Sequence, residues 1–184
     1  MNGEKLREGI FSLNTRRFGT VSEIIIQLLE KYGESQNNFH DLFDDANKYR
    51  IEVKFSRVLK SNKTKIKKGN ILKCIQEEIS DYRLVPFSDW NKHRFDCNIQ
   101  QVKKDQFEIL YYGLFFADVL LIFRINSYDI NHEISYSDKQ HKGNIGEGQF
   151  HIHQDNLDKH IDRYLYKKIT YDNLYTILND AEKM

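Results

Sequence analysis

The twenty residues from His40 to Leu59, HDLFDDANKYRIEVKFSRVL, decide how the chain reads. Two runs, residues 39–43 and 49–55, alternate as strands do, and Asp45-Ala46-Asn47-Lys48 between them is turn-forming. With the turn centred between Ala46 and Asn47, residue 41 lies directly across from residue 52. Opposed residues of an antiparallel hairpin share a face, with β-carbons about 4.5–5.5 Å apart. Lys54 is two residues beyond Glu52 and shares that face. Ile51, Val53 and Phe55 take the other face, an apolar set fit for the core. A one-residue slip would turn that set to solvent, so the core face sets the register, and the register pairs the two acids.

Two carboxylates held that close repel unless something positive stands between them. A hard divalent cation such as Mg²⁺ suits them, since it takes a few protein oxygens and completes its shell with water and phosphate. Such an ion acidifies bound water and neutralises charge developing on a phosphoryl group. A lysine beside it can hold or deprotonate the attacking water. Asp41 and Glu52 as metal ligands, with Lys54, therefore supply the parts needed to hydrolyse a phosphodiester. The plain alternative is an exposed hairpin face closed by an ion pair from Lys54 to Glu52 or Asp41. Asp44 and Asp45 could compete as the first acid, but their place gives them to turn chemistry.

The remaining pattern is that of one unit, residues 1–184, with no repeat, no linker and one proline, Pro86. Thr20 opens a capping box ahead of an apolar stripe at Val21, Ile24, Ile25, Leu28, Leu29 and Tyr32, which predicts a helix over 20–32 ended by Gly33. A second amphipathic helix is expected over 70–79, with Ile71, Leu72, Ile75 and Ile79 on its inner face. Strands are expected over 95–102, 107–112, 118–125 and 149–153, and helices over 155–166 and 171–182, the latter capped by Thr170. The fold class expected is α+β (mixed α/β), a central mixed, largely antiparallel sheet flanked by helices. The opening MNGEKLREGIF lacks the apolar run of a secretory signal, and GLFFADVLLIF at 113–123 is too short to span a bilayer. Cys74 and Cys97 show neither metal spacing nor a disulfide framework. These features suit a cytoplasmic protein with reduced thiols and no membrane partner.

The acid hairpin resembles the signature of the PD-(D/E)XK nucleases, with Asp41, Glu52 and Lys54 matching its first acid, second acid and lysine. His40 stands where that family often has proline. The segments NIQQVKKDQFEILYYGLFFADVLLIFRI and GEGQFHIHQDNLDKHIDRYLYKKITYDNLYTIL are similar to the rear half of small type II restriction endonucleases. The resemblance implies a restriction-endonuclease-like fold and a Mg²⁺-dependent enzyme that cuts double-stranded DNA at a short specific sequence, leaving a 5′-phosphate. It also implies an auxiliary acid at Glu23, which the capping box opened by Thr20 explains equally well. One active site per chain implies a homodimer, or a second nuclease or recognition subunit, for cutting both strands. A structure-selective repair or junction nuclease and a non-catalytic nucleic-acid-binding module remain the alternatives.

Charge supports a polyanionic partner locally rather than overall. The net charge is +1, yet between Arg50 and Lys73 nine basic residues face the single acid Glu52. Alone such a run reads as a solvated loop. Placed directly after the acid pair, Arg57, Lys60, Lys63, Lys65, Lys67 and Lys68 read as a track for a DNA backbone. Arg16 and Arg17, with Thr15 and Thr20, could meet a phosphate near a helix start. Gln101 could touch water or phosphate. His151, His153 and His160 could bind a transition metal, and with Asn156 and Lys159 could donate to phosphate, though a polar surface strand explains them as well.

Overall fold

Asp44 organises the turn at the tip of the hairpin. The computed structural model describes residues 2–37, 39–62, 64–139 and 145–183. In it Asp44 Oδ1 accepts hydrogen bonds from the backbone N–H groups of Ala46 at 3.0 Å and Asn47 at 3.1 Å, and Oδ2 accepts from Asn47 Nδ2 at 2.8 Å. Hydrogen bonds from Asn47 and Ala46 hold its carboxyl below the usual range. Lys48 takes the left-handed conformation, φ 61°, that completes the reversal. Strands β1 (Gly33–Glu34), β2 (Leu42–Asp44) and β3 (Tyr49–Arg57) follow one another through antiparallel pairing. Leu42 stands opposite Ile51, Phe43 opposite Arg50 and Asp44 opposite Tyr49, the register expected from the sequence. Strand β2 is shorter than expected and starts after Asp41, because the Asp41 side chain, not a main-chain carbonyl, accepts the Val53 N–H.

Beyond the hairpin come α3 (Ile71–Glu77), α4 (Ser80–Arg83) and β4 (Asp96–Val102), then β5 (Ile109–Phe115), β6 (Val119–Asn126), β7 (Ser137–Lys139) and β8 (Ile145–His153). The order ends with α5 (Leu157–Tyr164), β9 (Leu165–Thr170) and α6 (Tyr171–Ala181); ahead of the hairpin lie α1 (Gly3–Ser12) and α2 (Thr15–Glu30). The main sheet runs β1-β2-β3-β5-β6-β9, and a three-stranded sheet runs β4-β8-β7. Among the described residues β3 and β5 alone pair in parallel, so the main sheet is mixed and largely antiparallel, as expected. The strand over 95–102 joins the second sheet, not the main one.

Every residue of β5 is buried, because both of its faces are covered. Ile109, Tyr111 and Phe115 pack with Ile25 and Ile26 of α2 and Leu174 of α6. Leu110, Tyr112 and Leu114 pack the opposite way with Phe150 and Ile152 of β8 and Leu157 of α5. Gly113 is required between them, since a β-carbon there would stand 2.6 Å from the Phe55 ring. The GLFFADVLLIF run is thus the end of β5 and the start of β6. Among the described residues no helix is long and apolar enough to cross a membrane.

Several expectations need correction. Helix α2 starts five residues earlier than Thr20 and is capped by Asn14, whose Oδ1 accepts from Arg17 N–H at 3.0 Å. Thr20 lies within the helix and donates to Arg16 O, so the capping box at Glu23 does not form. Lys31, not Gly33, takes the left-handed C-cap position, φ 59°. The tail helix stops at Tyr164, and Leu165–Thr170 leaves it as edge strand β9. Lys167 and Lys168 on that edge discourage pairing with another sheet. Helix α6, capped by Thr170 Oγ1 accepting from Asn173 N–H, is as expected.

His160 is 1% exposed; its Nδ1 lies 2.9 Å from the Tyr112 hydroxyl, and its ring stacks on Phe150. Burial, with His153 nearby, pushes its pKa down to about 4. A folded pKa below the unfolded value means stability is full above about pH 6.5 and drains away as pH falls toward 4, on the order of 3 kcal/mol in all. Urea unfolding across that window should show this loss. A His160→Phe variant should lack it while losing about 1–2 kcal/mol at neutral pH through the stranded Tyr112 hydroxyl.

Candidate functional site

Ile51 and Val53 are pinned in the core beneath the helices, so Glu52 and Lys54 must leave β3 on the opposite face. There Lys54 Nζ stands 3.4 Å from Asp41 Oδ2 and forms an ion pair with Glu52 Oε1. Asp41 Oδ2 also accepts the Val53 N–H at 2.8 Å, which fixes the carboxylate against β3. The three side chains named from the sequence are therefore together. Glu23 joins them electrostatically, since Asp41 raises and Lys54 lowers its pKa.

Three carboxylates share one ammonium in this half-buried place. Desolvation pushes Glu52 up to about 7; Lys54 opposes the rise, while Asp41 and Glu23 add to it. Burial raises Glu23 as well, helped by Asp41. Burial by itself would lower the pKa of Lys54, but Glu52 and Asp41 more than offset it and hold the ammonium above its usual value. The site is short of positive charge.

Among the described residues no group of three or more His, Cys, Asp and Glu converges as a metal site. The chemistry of the pair still fits Mg²⁺. Asp41 Oδ1 and Glu52 Oε2 accept no hydrogen bond from the described residues, and two hard oxygens are what this ion takes from protein before water and phosphate complete its shell.

An open cleft of about 540 Å³ leads to Asp41 and Glu23, lined by Thr20 and Gln27 of α2 and by Glu34, Ser35, Asn37 and His40. Sequence reasoning missed Gln27 and the 34–37 stretch; their signal was the polar segment between a helix end and the first acid. His40 is 7% exposed, its Nδ1 has no hydrogen-bond partner among the described residues, and burial lowers its pKa.

The basic candidates separate. Arg57 donates from Nε and Nη2 to Ile10 O and from Nη2 to Leu13 O, with its guanidinium 4.0 Å from the Phe18 ring centroid. It braces the end of α1 and is not presented to a ligand. Lys65, Lys67 and Lys68 are exposed and Lys60 is half-buried, and among the described residues none of the four is in an ion pair. Lys63 lies outside the described residues. Arg16 and Arg17 are exposed in the first turn of α2.

Gln101 sits at a bulge in β4, in the second sheet; the strand beside β3 is β5. The histidines do not converge. His151 Nδ1 pairs with Asp96 at 2.7 Å, His153 Nδ1 accepts from Asp155 N–H, and His160 is in the core. Asn156 Oδ1 accepts from His153 N–H and its Nδ2 donates to His151 O, holding the turn. Lys159 is exposed on α5. Cys97, buried with Sγ donating to Arg57 O, is pushed up to about 12 by desolvation and is an inert thiol.

No family model, no curated protein and no solved structure matches this chain.

Folding raises the Glu52 pKa from 4.5 to about 7, so the stability it contributes is full below about 4.5 and is lost as pH rises through 7. Glu52→Gln removes that loss. The variant should match wild type near pH 4 and exceed it by on the order of 1–3 kcal/mol near pH 8. Urea titrations at the two pH values check this; equal stabilities at both would show that the three carboxylates do not strain the site.

Proposed function

We propose that the chain is a Mg²⁺-dependent endodeoxyribonuclease cutting double-stranded DNA at a short specific sequence, in the manner of a type II restriction enzyme with a PD-(D/E)XK site. The observation that carries the reading is the contact of Lys54 Nζ with both Asp41 and Glu52, where Asp41 and Glu23, whose carboxyl burial raises, line a cleft. Asp41 and Glu52 would hold the Mg²⁺, which when bound supplies positive charge against the phosphoryl oxygens and acidifies water.

The protein's own groups divide the remaining work. Lys54 keeps its proton, because two carboxylates hold its pKa up, so it acts as a donor that orients the attacking water and offsets phosphate charge. The proton of the attacking water passes to solvent, because a cation held by Asp41 and Glu52 would keep both carboxylates ionised. The new bond joins water oxygen to phosphorus, the bond to the 3′ oxygen breaks, and that oxygen takes a proton from solvent, leaving a 5′-phosphate and a 3′-hydroxyl. Exposed Lys65, Lys67 and Lys68, with Arg16 and Arg17, would hold the backbone. A duplex with two scissile strands calls for a second copy of the chain or a partner subunit.

The rival, a non-catalytic binding module, draws on the same ion pairs, since a lysine that satisfies two acids is also a plain structural bridge. Purified protein incubated with phage DNA separates the two. Discrete fragments that require Mg²⁺, vanish with EDTA and fall at least about 100-fold in rate in Lys54→Ala and Asp41→Asn are the expected result. Intact DNA in every lane, with binding retained by Lys54→Ala, would return the cluster to a structural role.

A further inference from the structure

Two apolar features stand at the surface. Helix α3, expected to bury Ile71, Leu72, Ile75 and Ile79, leaves all four exposed and stands on Cys74. Lys73 pairs with Glu77 and Arg83 with Glu78 within the chain, so that stripe names no partner. The other feature is Phe39, 63% exposed and two residues before Asp41. Asn37 Oδ1 accepts the Phe39 N–H at 2.9 Å and holds the segment that presents the ring. Two residues span at most about 7 Å of backbone, and successive bases of a strand rise about 3.4 Å. Phe39 therefore stands within about two base steps of a phosphate held at Asp41. A second cavity, of about 330 Å³, adjoins the cleft here, since Glu34, Asn37 and His40 line both. His40 is the buried wall common to the two, and its Nδ1 has no hydrogen-bond partner among the described residues.

We propose that the DNA is opened at the cut, with Phe39 wedged into the base stack beside the scissile phosphate and one base turned out into this second cavity. The inference rests on the nuclease reading and names the form in which the site takes its substrate. An exposed phenylalanine can enter a stack and part a base step. A displaced base needs a pocket with flat walls and hydrogen-bonding edges. The cavity offers both, at the small end of ligand sites, which begin at about 300 Å³. Phe43 and His40, with ring centroids 6.1 Å apart, supply flat faces. Arg50 is held by Glu108 through Nε and Nη2, so its planar group stands there with its charge matched. Glu34 and Asp45 bring carboxylates and Gln36 an amide. Those carboxylates repel phosphate, so the uncharged base, not the backbone, is the group that fits. They accept hydrogen bonds, which favours a base with an exocyclic amine over thymine, which has none.

The test uses the full-length chain and a duplex carrying the site read from the phage fragment ends. 2-Aminopurine, whose fluorescence rises when it leaves the stack, replaces in turn each of the two bases on either side of the scissile phosphate. In complex with Lys54→Ala, which holds the duplex uncut, fluorescence should rise at one position. It should stay flat once Gln36→Trp, at an exposed position, is added to fill the cavity. Phe39→Ala, in the otherwise wild-type chain, should cut the intact duplex at least about tenfold more slowly, with its melting temperature unchanged. Phe39→Trp should cut as wild type. A mismatch opposite the displaced base, which spares its unpairing, should restore the Phe39→Ala rate, a rescue that a merely structural Phe39 could not give. Mg²⁺-dependent cutting with flat fluorescence at every position, or undiminished rates in both Phe39→Ala and Gln36→Trp, would overturn the wedge and leave the nuclease standing. Phage DNA that stays intact overturns both.

Discussion

The two faces of β3 carry opposite obligations, and the molecule is built around reconciling them. Ile51 and Val53 must meet the α2 side of the core, so Glu52 and Lys54 are driven to the other face beside a strand, β5, that is itself buried on both sides. An ionisable pair in such a place survives only by mutual satisfaction. The Lys54 ammonium supplies it, reaching Glu52 within the strand and Asp41 across the hairpin. Asp41 in turn ends the β2 ladder by lending a side-chain oxygen to the Val53 N–H. Local backbone geometry and site chemistry are therefore one arrangement.

The charge balance of that arrangement is uneven by design of its neighbours. Glu23 comes from α2 and leaves three carboxylates with one cation; desolvation lifts Glu52 toward neutrality, and Asp41 and, least, Glu23 add to the rise. A site with this deficit gains from any added positive charge. The proposed Mg²⁺ is the occupant whose size and oxygen preference suit it. Arg57 marks the contrast, since a basic residue three positions along the same strand spends its donors on Ile10 and Leu13 carbonyls and stiffens the fold.

Residue type and spacing made the hairpin legible. Asp44 and Asn47 announce the turn, the Ile51 and Val53 alternation permits one register, and that register alone brings Asp41, Glu52 and Lys54 together. The Thr170 cap of α6 was equally plain. Local signals failed where a stronger local signal or a tertiary contact outweighed them. Asn14 captured the start of α2 from Thr20, which removed the capping explanation for Glu23. The segment Leu165–Thr170 became a strand because β6 offered an unpaired edge, although Leu165 and Tyr166 were expected to end the helix over 155–166.

Periodicity and turn chemistry, which act between near neighbours, were sufficient to determine the strand register and the identities of the paired acids. Which face of α3 meets solvent, whether a lysine or an arginine stays free for a ligand, and how far burial moves the Glu52 proton were decided only when distant segments came into contact. Those outcomes depend on desolvation and on long-range hydrogen-bond partners, and neither quantity is written in the order of residues along the chain.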